Sequence, residues 1–257
     1  LRMKLIILSS LVVLALASTA YAQCGCRPQS RKRGYDDEEK DKNGNVKVGD
    51  MVLGKDDQLL FSGFRASIDP RRKWPNGEIP YMFDRLGGRE QSAVRNALSA
   101  LSQATNNCVK FRETRGGERA YARVFPGGGC YSMIGRTGSR QDLSIGYGCA
   151  GTETIQHEFM HALGFYHEQS RPDRDRYVRV NWQNINSQMC GNFEKCRGCR
   201  TTTTYDILSI MQYQGDAFSC SRGRPTMVDA NNPNNPIRRN MQLTANDVKK
   251  IKDYYGC

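Results

Sequence analysis

All three histidines of this 257-residue chain lie between positions 157 and 167, inside the run TETIQHEFMHALGFYHEQSRPDRDRYV that spans residues 152–178. Ile155, Phe159 and Leu163 recur every fourth residue, so the run begins as a helix with an apolar core face. His157 and His161 stand one turn apart on another face, where two imidazoles converge on one cation at Zn–N distances of about 2.0–2.1 Å. Glu158 points to the side, near the cation and free to hold a water. Gly164 accepts the left-handed conformation that ends a helix, and the chain turns back there to bring in His167 as a third ligand. Three neutral imidazoles leave a fourth position for water, the arrangement of a catalytic and not a structural zinc site. Two histidines at helical spacing are a weak signal, because such pairs usually lie on a surface. The full HExxHxxGxxH spacing, which consumes every histidine of the chain, is a strong one.

The chain divides into three expected parts. Residues 1–22 read as a signal peptide starting at Met3. Lys4 gives a positive start, residues 5–17 are apolar or small, and Ala20-Tyr21-Ala22 is a small-x-small cleavage pattern. A membrane span needs about 20 apolar residues, so no membrane anchor is expected. Residues 23–65 carry Arg31-Lys32-Arg33, an acidic run at 36–39 and few large apolar side chains. Such a stretch cannot fold alone and reads as a pro-segment. Residues 66–257 have the pattern of a folded domain. Ten cysteines behind an apolar leader imply an oxidising compartment, and hence a secreted, extracellular product. The net charge of +12 raises the possibility of polyanion binding, but the basic residues are scattered and several alternate with acids. No nucleic-acid partner is expected, and the protein is read as a monomer.

Glu78–Phe83 follows the turn signal Pro75-Asn76-Gly77 and reads as a strand. Residues 90–107 place Val94, Ala97, Leu98, Leu101 and Ala104 on one helical stripe, and residues 109–113 and 120–125 have strand content. Thr244 is a good cap for a last helix that buries Val248 and Ile251 and ends near Gly256. The expected class is α+β, with a mixed sheet and two long helices followed by a less regular carboxyl-terminal half.

The HExxHxxGxxH spacing, with Ser209-Ile210-Met211-Gln212-Tyr213 downstream as a Met-turn, is the metzincin signature. The run HEFMHALGFYHEQSRPDRDRYV resembles the astacin zinc endopeptidases. So do Lys73-Trp74-Pro75-Asn76-Gly77-Glu78-Ile79-Pro80-Tyr81, Cys130-Tyr131-Ser132 with Gly148-Cys149, and Tyr254-Tyr255-Gly256-Cys257. The form expected is the minimal one: signal peptide, pro-segment and catalytic domain, with no EGF-like or CUB-like extension. One departure is Gln212, where many members have histidine; this change is expected to tune the site without abolishing it.

The resemblance implies a metzincin fold with the zinc, one per subunit, in a cleft between two halves. It implies a secreted metalloendopeptidase, made as a zymogen, that acts on protein or peptide substrates. Zinc held by His157, His161 and His167 would polarise the scissile carbonyl, and Glu158 would act as general base. Tyr213 would stabilise the oxyanion, and Met211 would floor the site. Substrate would lie along an edge strand at Tyr131, Ser132 and Met133. The resemblance suggests the disulfides Cys108–Cys257 and Cys130–Cys149. Cys190, Cys196, Cys199 and Cys220 leave three pairings open, with a disulfide-stapled loop favoured over half a zinc knuckle at Cys196–Cys199. Family pro-segments block the zinc with aspartate in an F-x-G-D motif. Gly49-Asp50 fits this motif, but Lys47 stands where the aromatic belongs, and Cys24-Gly25-Cys26 is a weaker rival blocker. Cleavage at Arg65-Ala66 would let the new amino terminus turn inward to Glu168; Arg71-Arg72 is the competing junction.

Overall fold

The computed structural model describes residues 24–26, 40–62 and 70–257. The expected signal peptide, the Arg31-Lys32-Arg33 and acidic runs, and the Arg65-Ala66 junction lie outside the described residues. In chain order the elements are β1 (Val46–Val48), β2 (Met51–Leu53), α1 (Lys55–Ser62), β3 (Glu78–Phe83) and α2 (Gly88–Ala104). There follow β4 (Lys110–Glu113), β5 (Ala122–Phe125), β6 (Cys130–Met133), β7 (Gln141–Ile145) and α3 (Thr152–Leu163). The carboxyl-terminal half adds β8 (Val178–Val180), β9 (Met227–Asp229) and α4 (Ala245–Tyr255), joined largely by short 3₁₀ turns and loops.

The main sheet runs β1-β2-β6-β7-β5-β3-β4 and is mixed. Strands β4, β3, β5 and β7 are mutually parallel, whereas β6 runs antiparallel to β7. Helices α2 and α3 lie against this sheet and bury Val94, Ala97, Leu98, Leu101, Ile155, Phe159 and Leu163 with Ile79, Val124 and Leu143 in one core. Phe159 sits edge-on to both Tyr81 and Phe111. The Gln156 amide donates to the Ala97 carbonyl at 3.1 Å and ties the two helices together.

The expected α2 stripe reaches one position too far. Ala104 is exposed and Thr105 is buried, because Asn106 and Asn107 take positive φ of 55° and 60° and turn the chain out of the helix. Val248 is only half-buried, and the α4 face relies on Ile251 and on the aliphatic stem of Lys250. Thr244 caps α4 in a reciprocal box with Asp247.

Residues 40–62 are not a loose tail. Val46, Val48, Met51, Leu53, Leu60 and Phe61 form a second core with Ile134 and Cys196. The segment has too little apolar surface to fold alone and borrows the missing part from the rest of the chain. Buried Asp57 pins it there, pairing with Arg72 at 3.1 Å and accepting from Gly54 N–H at 2.9 Å and from the Tyr166 hydroxyl. Burial pushes the Asp57 carboxyl above its usual range, against the pull of Arg72.

The cysteines correct the sequence reading. Cys108–Cys257 and Cys130–Cys149 are bonded, as is the Cys196–Cys199 loop. Cys190 and Cys220 do not pair with each other: Cys24 bonds Cys220 and Cys26 bonds Cys190. The eight cysteines beyond residue 65 are therefore not the closed set that their even number suggests, since parity says nothing about which partners meet in space. Cys24 and Cys26 hold no free thiolate and are excluded as a zinc-blocking group.

Candidate zinc centre

Helix α3 is buried on nearly every side, and its geometry sets the site. The four carbonyls at its end would be orphans, and each finds a partner. Phe165 N–H donates to Met160 O, Gly164 and Gly135 N–H to His161 O, Trp74 Nε1–H to Ala162 O, and the Tyr255 hydroxyl to Leu163 O. Gly164 closes the helix at φ 114°, a left-handed conformation that an L side chain rarely adopts. The chain then reverses and delivers His167.

The three imidazoles meet at their Nε2 atoms. His157 Nδ1–H donates to the Ile210 carbonyl at 2.8 Å, and His161 Nδ1–H to the Phe165 carbonyl at 2.7 Å. Each bond fixes the tautomer that leaves Nε2 as a lone-pair donor. The Nε2 atoms of His157 and His167 are 3.3 Å apart. Two ligands about 2.05 Å from one tetrahedral ion would be separated by about 3.3 Å. His161 Nε2 is buried with no hydrogen-bond partner, as a metal ligand would be. Burial, then the neighbouring imidazoles, hold His161 well below its usual range, in the neutral form a metal requires. The donor set fits zinc.

The fourth group at this point is Asp50. Its carboxylate lies 2.9 Å from His167 Nε2, 3.3 Å from His157 Nε2 and 3.9 Å from His161 Nε2, and the four ligand atoms lie within 4.8 Å of one another. Burial would raise the Asp50 carboxyl, but its interactions with His167 and then His157 override it and hold the group well below its usual range. Asp50 sits at the tip of the β1–β2 hairpin, whose register pairs Val48 with Met51 across the two residues Gly49-Asp50. Gly49 has φ 63°, the first-position glycine of a type II′ turn. A Cβ there would lie 2.4 Å from Asn192 Oδ1 and 2.7 Å from the Tyr213 hydroxyl, so only glycine lets the tip enter. Lys47, which stands in place of the family aromatic, lies over the Tyr131 ring at 4.1 Å.

Strand β6 was expected to be a free edge for substrate at Tyr131, Ser132 and Met133. In the whole chain it is covered. β2 pairs with it in parallel, Met51 opposite Ser132 and Val52 opposite Met133, and Ser132 N–H donates to the Asp50 carbonyl at 2.9 Å. The edge exists only if residues 51–53 leave.

Glu158 is 1% exposed beside this cluster, and one carboxylate oxygen lacks a partner. Burial, then the charge of Asp50, push its carboxyl well above the usual range. The Tyr213 hydroxyl lies 3.5 Å from Asp50 Oδ1, and its ring packs on His167 with centroids 4.3 Å apart. The tyrosine's peptide group is gripped on both sides. Gln169 accepts from its N–H at 3.2 Å, and the Gln212 amide donates to its carbonyl at 3.0 Å, while Tyr205 donates to Gln212. Met211 is buried, and its carbonyl accepts from Glu168 N–H at 2.9 Å. Sequence reasoning missed Asp247, whose buried carboxylate both caps α4 and accepts from Ile210 N–H and the Ser209 hydroxyl. Its place in the last helix carried no sign of this second task.

The model of the astacin peptidase family matches residues 66–256. The chain belongs to the astacin family. It is 36% identical to zinc metalloproteinase nas-4 of Caenorhabditis elegans over 223 residues, 83% of this chain and 70% of that protein. It is 40% identical to zinc metalloproteinase nas-15 of the same organism over 190 residues, 72% of this chain but 32% of that longer relative. The solved structure of high choriolytic enzyme 1, a hatching enzyme zinc-protease from the medaka Oryzias latipes, superposes with a TM-score of 0.65 at 40% identity. That match covers 72% of this chain and 93% of the medaka one. This astacin is thus a zinc metalloendopeptidase that acts on protein substrates, with the metzincin fold and a histidine cluster suited to its metal.

Proposed function

We propose that this astacin is a secreted zymogen, monomeric, whose residues 23–65 hold it latent and whose residues 66–257 form the catalytic domain. The observation that carries the reading is Asp50, with its carboxylate among three Nε2 atoms at a hairpin tip that also covers β6. A carboxylate there takes the position a hydrolytic water needs. Five disulfides fit an oxidising compartment. No helix among the described residues is long and apolar enough to cross a membrane.

His157, His161 and His167 would hold the zinc, which supplies Lewis acidity and lowers the pKa of water at the site. Glu158, buried beside the histidines, takes a proton from that water and returns it to the leaving amine. The Tyr213 hydroxyl donates to the oxyanion of the tetrahedral intermediate. Gln169 and Gln212 hold the Tyr213 peptide while its ring moves. Met211 keeps the floor apolar, and its carbonyl fixes the start of the turn at Glu168. Substrate pairs with β6 by strand addition once β2 has gone.

Activation follows from the same contacts. The Arg72 side chain is 14% exposed and engaged by Asp57, which argues against Arg71-Arg72 as the first cut and favours Arg65-Ala66. Glu168 lines a cavity of about 390 Å³ with Lys73, Gly164 and Tyr254, open to an incoming amino terminus. Glu168 already accepts from Lys250 at 2.6 Å, Arg171 at 3.0 Å and Asp206 N–H at 2.8 Å, so the new ammonium joins an existing cluster.

The test compares the full chain before and after limited proteolysis. The uncut chain should not cleave casein, and activity should appear together with a new amino terminus at Ala66. Full activity in the uncut chain would end the latency reading.

A further inference from the structure

Residues 24–26 and 40–62 belong to the segment read above as inhibitory, yet they sit on opposite sides of the site. The hairpin of β1 and β2 extends the amino-terminal sheet at β6. Cys24-Gly25-Cys26 is built into the carboxyl-terminal half. Gly25 N–H donates to the Ile185 carbonyl at 2.8 Å and Cys26 N–H to the Trp182 carbonyl at 3.1 Å. Cys24 forms a bridge pair with Asn186. Two disulfides then lock the tripeptide, Cys24 to Cys220 and Cys26 to Cys190. Cys26 is buried in a cluster with Ile185 and Phe193, against which Tyr213 and Phe218 pack. The tripeptide thus supports the wall that carries the Tyr213 ring.

We propose that the peptide containing Cys24-Gly25-Cys26 is a permanent component of the active enzyme, retained through two disulfides as a second chain after the activating cut. The proposal rests on the pro-segment reading and concerns how that segment leaves. A cut at Arg65-Ala66 breaks the backbone at one end only. The hairpin bearing Asp50 stays joined, through about two dozen residues, to a tripeptide bonded to Cys190 and Cys220. Its return to the zinc is then intramolecular, at an effective concentration on the order of millimolar. Dilution cannot remove such an inhibitor. Covalent release of Asp50 needs a second backbone break between Cys26 and Asp50, and even then the Cys24-Cys26 peptide remains. Loss of the peptide would require reduction of both disulfides and would strand Cys190 and Cys220 as thiols in an oxidising compartment. It would also uncover the Ile185 and Phe193 cluster beneath Tyr213.

The experiment is intact-mass measurement and amino-terminal sequencing of the full chain, activated by limited proteolysis to constant activity, before and after reduction. The unreduced active enzyme should show two amino termini, one upstream of Cys24, and should lose the small peptide as a separate mass only on reduction. An unreduced active enzyme whose mass is one chain starting at Ala66, with Cys190 joined to Cys220, would overturn the proposal. A variant lacking all four cysteines, C24S/C26S/C190S/C220S, should after the same cut gain specific activity on 100-fold dilution as the segment dissociates; the singly cut wild type should not. If the variant does not fold, the wild-type masses still decide. Mass and activity are separate readouts. A tethered product that has also been cut between Cys26 and Asp50 and still lacks peptidase activity would sink the proposed function alone, and activity from an untethered chain would sink the tether alone.

Discussion

In the proposed mechanism Glu158 and Tyr213 take two roles in one environment. Both lie beside the same three histidines, but Glu158 is buried and raised in pKa, whereas Tyr213 is half-buried with its hydroxyl 3.5 Å from the Asp50 carboxylate. In the activated enzyme, Glu158→Gln should keep zinc content and fold and lose kcat/KM by at least about 10²–10⁴-fold, since only proton transfer is removed. Metal analysis and casein hydrolysis on the same preparation check this; a near-normal rate would remove Glu158 from the mechanism. Tyr213→Phe deletes a donor that matters only when charge develops on the substrate oxygen. It should lower kcat by about 10²–10³-fold with KM nearly unchanged. A change confined to KM would mean that Tyr213 contacts the ground-state substrate instead. Gln212 departs from the histidine common in the family, and the structure gives a physical account of the tolerance: its amide serves the Tyr213 carbonyl and receives Tyr205, so the position holds the turn and no metal.

At the scale of elements, the β1–β2 hairpin does two things through one geometry. Its strand order extends the sheet over β6, and its two-residue turn aims a carboxylate at the histidines. The turn depends on Gly49, at φ 63° and with no room for a Cβ between Asn192 and Tyr213. Gly49→Ala should therefore weaken docking of the tip, and the uncut chain should show measurable peptidase activity where the wild type shows none. An uncut Gly49→Ala chain as silent as wild type would mean that the rest of the segment suffices for latency. The hairpin was not read from the sequence, because Val46-Lys47-Val48 and Met51-Val52-Leu53 are too short to give a periodic signal. Nor was its pairing with β6, because register across some eighty residues leaves no local trace. Helix α3 was the opposite case. Its start, its apolar face and its glycine stop were all readable, because helix-forming and helix-ending preferences are local.

For the whole molecule, the histidine cluster is the common element of both halves. His157 and His161 come from the amino-terminal half, and His167 leads through Glu168 and Met211 into the carboxyl-terminal half. Removing zinc from the activated enzyme with a chelator should abolish casein hydrolysis and lower Tm, and stoichiometric zinc should restore both; binding to the folded state alone requires this shift. Activity that survived complete metal removal would contradict the zinc assignment. The sequence by itself determined the three histidines that meet, their helix and reversal, the α+β class and the family. Spacing of 3.6 residues per turn and a glycine stop are written in neighbouring residues, and three histidines allow few arrangements. It also singled out Gly49-Asp50, though not the reason Lys47 is tolerated there, which is the ring of Tyr131. Tertiary structure alone decided the rest: that β6 is covered, that Asp247 serves both α4 and the Met-turn, and that Cys24 and Cys26 bond Cys220 and Cys190. Each of these joins residues far apart in the chain. Beyond the Cys196–Cys199 loop and the two pairs that the family resemblance suggested, the cysteines' spacing encodes no preference, and only the packing that brings sulfur atoms within bonding reach selects the pairs.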